Sequence, residues 1–230
     1  MVVNGHALCE TGPMGTVYHM TPADTFRRLL APLRQAFDDA CARPRERWTT
    51  ANAEHARLGA DIENFGGETN EDRRARDDRE YDLERDMDAA ESTLGLIRHA
   101  FTISLFHFWE RWVVNEMGVA TVSDEALSDA QRRARIEKIL DYRHDPVVGF
   151  LRRHGLAPDP RRLRILQLAA NVAKHASGKG NDVELFGLRP DLFEARYWKY
   201  GDYTTYQLRI HDAFLDEMFE AVMASGPQQD

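Results

Sequence analysis

The segment Asn171-Val172-Ala173-Lys174-His175 ends a predicted helix with three side chains that can do chemistry. An imidazole exchanges protons near neutral pH, and an ammonium stabilises an oxyanion or a phosphate. An amide one helical turn earlier can fix the imidazole tautomer. Such groups suit cleavage of a phosphodiester in RNA, where a hydroxyl is deprotonated and a phosphate is neutralised. The structural alternative is capping, because histidine near a helix C-terminus and a following Gly178 are ordinary helix-end features.

The helix that carries this segment is predicted over residues 161–176. Successive residues turn by about 100°, which places His175 at the border between the buried and the exposed face. The stripe predicted to be most exposed consists of Leu163, Gln167, Ala170 and Lys174. Arg164 shares the stripe of His175 but lies about 16 Å away along the axis. It could therefore approach only the His175 of a second subunit, across an antiparallel two-fold axis.

A second source of polar groups is a long helix predicted over residues 72–117. Its second half carries one apolar stripe, formed by Leu94, Ile97, Phe101, Leu105, Phe108 and Trp112. Beside that stripe, Glu110 and His107 could supply a general base or an orienting partner for His175. The alternative is that Glu110 pairs locally and His107 is simply solvated.

The remaining elements are predicted from caps, breaks and periodicity. A helix begins at Thr21-Pro22 and is interrupted at Arg43-Pro44, before a second helical segment. The other predicted helices are 45–62, 123–143, 146–153 and 208–223, and the β-like or irregular segments after Gly180 are 183–186, 195–198 and 203–206. These elements divide the chain into a flexible leader at 1–20, a helical extension at 21–71 and a main helical domain at 72–225.

Composition excludes several classes of protein. Hydrophobic residues make up 43% and charged residues 30%, as in ordinary globular proteins. No apolar run approaches the roughly 18 residues needed to span a bilayer. Cys9 and Cys41 form no disulfide framework and no zinc motif, so the sequence predicts a cytoplasmic protein without a membrane segment, a metal or a cofactor.

Charge is distributed unevenly along the chain, whose net charge is −8. Residues 61–91 hold 13 Asp or Glu against 5 Arg, whereas residues 131–164 hold 10 Arg or Lys against 4 acids. One interpretation is two solvated helix faces. The other is that the basic segment meets a phosphate backbone while the acidic segment faces elsewhere.

Two segments together resemble the HEPN superfamily, whose members include prokaryotic toxins, antiphage systems and ribonucleases. They are Phe106-His107-Phe108-Trp109-Glu110-Arg111-Trp112, near the end of the long helix, and Asn171-Val172-Ala173-Lys174-His175. The resemblance covers roughly residues 90–225, including the Leu188-Arg189-Pro190 loop. It implies an all-α helical bundle that dimerises and cleaves RNA without metal, using a histidine and an arginine at the dimer interface.

Carried onto this chain, the family motif assigns its polar position to Asn171 and its histidine to His175. The family's arginine position falls at Ala170, which cannot contact a phosphate through a charge. Lys174 could replace the arginine as a point charge, and Arg164 of a second subunit could do so across the dimer.

The sequence therefore predicts an all-α, HEPN-like helical bundle with an N-terminal helical extension and a small β-like insert after Gly180. The predicted function is a metal-independent endoribonuclease in defence or as a toxin, with His175, Asn171, Lys174, Arg164 and Glu110 as site residues. The expected partners are a second copy of the chain, RNA, and a cognate antitoxin or defence protein. The alternative is a non-catalytic dimeric module that binds RNA, nucleotide or a partner protein.

Overall fold

A computed structural model of the chain describes residues 9–11, 17–19, 22–62, 69–122, 125–140, 149, 152, 156, 158–175, 180–197 and 204–226. The helices are α1 (Pro22–Ile62), α2 (Asn70–Val122), α3 (Asp129–Leu140), α4 (Pro160–Lys174), α5 (Asn181–Leu188) and α6 (Asp212–Ser225). The strands are β1 (Cys9–Thr11), β2 (Val17–His19), β3 (Phe193–Tyr197) and β4 (Thr204–Leu208). The predicted all-α fold class is confirmed, because helices make up most of the described residues.

The chain divides into two compact units, one formed by residues 1–34 with 101–230 and the other by residues 35–100. In the first unit the apolar faces of three helices contribute much of the core. Its fully buried residues include Leu105, Trp109 and Val113 of α2, Leu163 and Leu166 of α4, and Phe214, Met218 and Val222 of α6. Their spacing of three and four residues explains why each helix presents one apolar face.

One buried polar contact joins α2 to the end of α6. The Trp109 indole Nε1 donates to Ser225 Oγ at 2.9 Å, and Ser225 Oγ donates to the Val222 carbonyl at 2.7 Å. Both side chains are fully buried, so each needs this partner in place of water. Next to Ser225, a Cβ at Gly226 would overlap the Phe26 ring, so glycine allows α1 to approach the end of α6.

The second unit is a hairpin of two antiparallel helices. Arg47 of α1 pairs with Asp86 of α2, and Glu54 pairs with Arg79, so one helix ascends as the other descends. On each helix the buried residues are separated by one or more intervals of three or four positions. They are Phe37, Cys41 and Ala51 on α1, and Leu83, Ala90 and Leu94 on α2. This 3.5-residue spacing is the seam of an antiparallel coiled coil, which leaves the outer faces of both helices in solvent.

The predicted interruption of the first helix at Arg43-Pro44 is wrong, because α1 is continuous from Pro22 to Ile62. Proline removes a backbone donor and crowds the preceding turn. The seam residues Cys41 and Ala51 are nevertheless buried on either side of Pro44. Their packing favours one helical path through the proline, which local propensity alone does not anticipate.

The segment after Gly180 is only partly β-like. The prediction of β structure at residues 183–186 is wrong, because these residues belong to α5, which begins after Gly180 with φ of 79°. The two later predicted segments do form strands, since β3 and β4 pair antiparallel with Phe193 opposite Leu208. The leader also contains a short antiparallel pair, β1 with β2, and the rest of the predicted flexible leader lies outside the described residues.

The helix predicted at 123–143 begins later, at Asp129. Ser128 Oγ accepts from the Gln131 backbone N–H at 3.4 Å, while the Gln131 amide oxygen accepts from the Ser128 N–H at 2.9 Å. This reciprocal capping box stops the helix from extending towards the N-terminus. Most of the helix predicted at 146–153 lies outside the described residues, and the predicted domain division at residues 20 and 71 stays a prediction.

In the part of the chain that the structure describes, no helix combines the length and the apolar character that crossing a membrane requires.

Candidate functional site

Helix α4 positions the predicted site, and its first turn is capped by Asp159. The Asp159 Oδ1 accepts from the backbone N–H groups of Arg161 and Arg162, at 3.0 and 3.1 Å, and Pro160 occupies the first helical position. At the other end the helix closes at His175, whose N–H donates to the Asn171 carbonyl at 3.0 Å. The sequence-predicted helix end at this motif is confirmed.

The predicted order of faces on α4 is partly wrong. Leu163 and Ala170 were expected on the most exposed stripe, yet both are buried, and Leu168 on the next stripe is fully buried as well. The reason is that α4 packs against both α5 and α6, so two of its faces are covered instead of one. A single helical wheel shows one apolar face but cannot show how many neighbours the helix will have.

Lys174 and His175 are exposed at the end of α4, and Asn171 is half-buried. None of these three side chains makes a hydrogen bond or an ion pair with another described side chain. The imidazole and the ammonium are thus accessible to a ligand, and they are adjacent in sequence. This arrangement allows acid–base chemistry or anion binding, and it equally suits a cation at the negative end of a helix dipole.

Ala170, the position that the predicted HEPN resemblance assigns to an arginine, lies in the core. Ala170 is 3% exposed and is flanked by the fully buried Leu168 and Ala169. An arginine at position 170 would place its guanidinium among buried apolar residues, where a charge without a partner costs free energy. The alanine at position 170 therefore fits the packing of α4, which leaves room for a methyl group.

Arg164, the predicted arginine from a second subunit, is engaged within its own chain. Its Nε and Nη2 donate to the two carboxylate oxygens of Glu184 on α5, at 2.9 and 2.7 Å, and its Nη1 donates to Gln167 Oε1 at 2.7 Å. The hydrogen bonds from Arg164 lower the pKa of Glu184. All three guanidinium nitrogens are thus used inside the chain, so a role in a second subunit would require this pair to open.

Glu110 is also committed to a neighbour on its own helix. Its Oε2 lies 3.0 Å from His107 Nδ1, three residues earlier on α2. This is the local pairing that the sequence offered as the alternative to a catalytic role. Among the described contacts, none joins Glu110 to Asn171, Lys174 or His175, and its role as a general base stays a prediction.

A denser cluster of charges, which no sequence pattern predicted, lies where α5 leads towards α6. Arg189 donates to Asp191 through Nε and Nη2, at 2.9 and 2.8 Å, and to Glu217 through Nη1 at 2.7 Å. Glu217 also contacts Arg162 of α4, and His211 Nε2 lies 3.6 Å from Asp191. The hydrogen bonds between these two side chains lower the pKa of Asp191 and raise the pKa of Arg189. Because every charge has an opposite partner, the cluster serves to fasten three elements together.

The side chains of a histidine and two glutamates lie close together on the helical hairpin, where the sequence predicted no metal ligands. His55 Nε2 of α1 lies 3.6 Å from Glu80 Oε1 and 3.9 Å from Glu84 Oε1 of α2. The ligand atoms of all three lie within 4.8 Å of one another. The sequence signal was weak, since only Glu80 and Glu84 are one turn apart and His55 comes from another helix.

No protein-family model, no curated protein and no solved structure matches this chain. The resemblance to the HEPN superfamily therefore stays a prediction based on two short segments.

Proposed function

We propose that this chain is a non-catalytic helical module that binds a basic partner protein through the outer faces of the α1/α2 hairpin. The observation that carries this proposal is the charge of the hairpin. Residues 35–100 contain 17 Asp or Glu against 10 Arg, a balance of −7, while the whole chain carries −8. Nearly all of the net negative charge is thus contributed by these residues, which favours a positively charged ligand.

The excess carboxylates of the hairpin lie on its solvent-exposed outer faces. A two-helix hairpin buries only its seam, and arginines of this unit are paired with acids, such as Arg79 with Glu54 and Arg85 with Asp82. These pairs leave an excess of carboxylates, among them the exposed Asp78 and Asp88, which contact no described cation. A basic surface that approaches this face would gain these carboxylates as partners.

RNA fits the described surfaces less well than a protein does. Phosphates would be repelled by the hairpin, because RNA binding depends on cations that neutralise the backbone. In the described part of the basic segment, Arg162 is 3.4 Å from Glu217 and Arg164 is 2.7 Å from Glu184. These two arginines of α4 are therefore already paired with carboxylates, so binding a phosphate would compete with these ion pairs.

Binding of an oligo-arginine peptide tests the chemistry of the proposed surface. We expect fluorescence anisotropy to show binding that weakens between about 50 and 200 mM salt, because the attraction is electrostatic. A single-stranded oligouridine of similar length should bind much more weakly under the same conditions. The double variant Asp78→Asn/Asp88→Asn removes two carboxylates from the hairpin and should weaken peptide binding by about tenfold.

The matched control is Glu125→Gln/Glu220→Gln, which removes two exposed carboxylates from the other compact unit. It changes the net charge equally and should leave peptide affinity nearly unchanged. Equal weakening in both variants would show a general charge effect without a defined surface. Tighter binding of the RNA than of the peptide would overturn the proposal.

The second candidate is the metal-independent endoribonuclease that the sequence predicts. One observation favours it: the His175 imidazole and the Lys174 ammonium are adjacent and exposed at the end of α4. In this mechanism His175 would remove or supply a proton, Lys174 would stabilise the charged phosphate, and Asn171 would orient the imidazole. Under this candidate function we also expect two partners. One is a second copy of the chain, in a homodimer that places two copies of the motif in one cleft, and the other is a cognate antitoxin.

Expression in bacteria separates the two candidates. A ribonuclease predicts growth arrest by the wild-type chain and loss of that arrest in His175→Ala. The matched control is His99→Ala, a histidine of the helical hairpin outside the motif, which should stay toxic. No arrest, together with no cleavage of RNA by the purified chain, would exclude the nuclease and leave the interaction module.

A further inference from the structure

The hairpin carries a cluster of potential metal ligands that the proposed function does not use. It consists of His55, Glu80 and Glu84. We infer that these three side chains bind a divalent transition-metal ion of the zinc class. The inference is independent of the proposed partner, since it depends only on three ligand atoms within one compact unit.

The geometry is close to that of a bound ion. Zinc lies about 2.0–2.2 Å from nitrogen and oxygen ligands, so neighbouring ligands of a tetrahedral site are separated by about 3.4 Å. His55 Nε2 is 3.6 Å from Glu80 Oε1 and 3.9 Å from Glu84 Oε1. Small side-chain rotations would bring the three atoms to these distances without moving either helix.

The His55 Nε2 atom also needs a partner. It is buried and makes no hydrogen bond in this structure, whereas its neighbours are two carboxylates. A buried nitrogen without a partner costs free energy, and a metal ion would satisfy it directly. One nitrogen with two carboxylate oxygens suits zinc, cobalt or nickel better than calcium or magnesium, which prefer oxygen ligands alone.

The local charge balance favours a cation at this point. Glu80 and Glu84 are one turn apart on α2, where like charges repel. Arginines of the same hairpin have other acidic partners: Arg79 binds Glu54 through both carboxylate oxygens, Arg47 binds Asp86, and Arg85 binds Asp82. Among the described residues, the ion pairs of these two glutamates are with His55, so a divalent ion would neutralise carboxylate charge that has no arginine or lysine partner.

The fold explains how three distant residues meet. His55 follows the buried seam residue Ala51 by one turn, and Glu80 precedes the buried Leu83 by three residues. Both therefore occupy positions where a coiled-coil seam normally has apolar side chains. Glu84 lies outside the seam, with 58% of its side chain exposed, and it completes the ligand set from the solvent side. Three protein ligands leave a further coordination position for water or a substrate.

A competing account is that His55 and Glu80 only fix the register of the two helices, as single polar seam residues do. That account requires no contribution from Glu84. The variant Glu84→Gln therefore separates the two, because it removes a metal ligand while leaving both seam residues unchanged. Its exposure also means that it should not impair folding. Glu46→Gln, an exposed glutamate of α1 on the same hairpin, is the matched control.

The experiment is a titration of the tag-free, chelator-treated chain with Co²⁺, followed by visible absorption and by thermal unfolding. We expect one equivalent to bind and to produce the absorption of a low-coordinate cobalt site. At about a hundredfold excess over the measured Kd, the Tm should rise by about 5–10 °C. Zn²⁺ should displace the cobalt signal, and a chelator should abolish the rise in Tm.

Variants decide whether the site is the one inferred. Glu84→Gln, Glu80→Gln and His55→Ala should each weaken binding by at least about tenfold, because even loss of a residue that only supports a ligand costs about 10–100-fold in metal affinity, whereas Glu46→Gln should bind as the wild type does. Absence of binding by the wild type at submillimolar Co²⁺ would overturn the inference. Unchanged binding in Glu84→Gln or His55→Ala would also overturn it, because the ion would then lie elsewhere.

Discussion

The methyl group of Ala170 on α4 is buried in the core, at the position that the predicted HEPN resemblance assigns to an arginine. In the same region Arg164 is held by Glu184, and on α2 Glu110 is held by His107. Two of the five predicted site residues thus have structural partners within the chain. At the segment Asn171 to His175, the exposed charged or titratable side chains are Lys174 and His175, so the predicted ribonuclease would depend on a lysine as its cation.

The buried hydrogen bond between Trp109 and Ser225 predicts how removal of the Ser225 hydroxyl changes stability. In Ser225→Ala the indole Nε1 loses its acceptor in a position that water does not reach. An unsatisfied buried donor costs about 1–3 kcal/mol, so the free energy of unfolding should fall by that amount. Denaturant unfolding of both proteins measures the difference.

The control for this prediction is Ser92→Ala, the same substitution at an exposed position in the middle of α2. Surface substitutions of this kind change stability by no more than about 0.5 kcal/mol. An equally small effect of Ser225→Ala would contradict the view that the Trp109 hydrogen bond is needed in the core.

At the scale of elements, Arg189 joins the end of α5 to α6 through Asp191 and Glu217. Hydrogen bonds from Arg189 lower the pKa of Asp191 from its ordinary value of 3.8. A carboxyl with a lowered folded-state pKa stabilises the fold above its unfolded pKa, and this contribution is lost as pH falls through the folded value. The contribution should therefore be complete above about pH 4 and decline below it.

The variant Asp191→Asn tests this contribution, because asparagine does not titrate. It should be less stable than the wild type at neutral pH, and the difference should shrink as pH falls below about 4. Urea unfolding at several pH values measures it. Asp182→Asn is the control, since among the described contacts its carboxylate accepts only from the neighbouring Val183 N–H. A difference between Asp191→Asn and the wild type that is independent of pH would refute the electrostatic explanation.

At the scale of the whole molecule, the two compact units differ in how much they bury. The unit of residues 1–34 with 101–230 encloses helices such as α4 and α6, each with several fully buried residues. The hairpin buries only a narrow seam, which is interrupted by polar residues such as His55. Local opening costs less where fewer apolar side chains are buried.

Hydrogen exchange followed by mass spectrometry should therefore show two levels of protection. We expect peptides from α4 and α6 to exchange most slowly, and peptides from residues 45–62 and 70–85 to exchange faster. Addition of Co²⁺ should slow exchange around His55 if the inferred metal site is present. Equal protection of the hairpin and of α4 would contradict the difference in burial as the determinant of local stability.

Local patterns in the sequence were sufficient for several features. The stripe from Leu94 to Trp112 predicted the second half of α2, and Asn171 to His175 predicted the end of α4. The β-like segments near residues 195 and 205 were also correct. These features depend on periodicity and caps, which involve residues close together in the chain.

The sequence by itself therefore determined the helical fold class, most helix positions and the accessibility of His175. Only the tertiary structure decided that Pro44 lies inside a helix, that Ala170 is buried, that Arg164 pairs with Glu184, and that His55 meets Glu80 and Glu84. The physical reason is common to all four. Each depends on which other helix packs against the residue, and that neighbour is far away in the sequence.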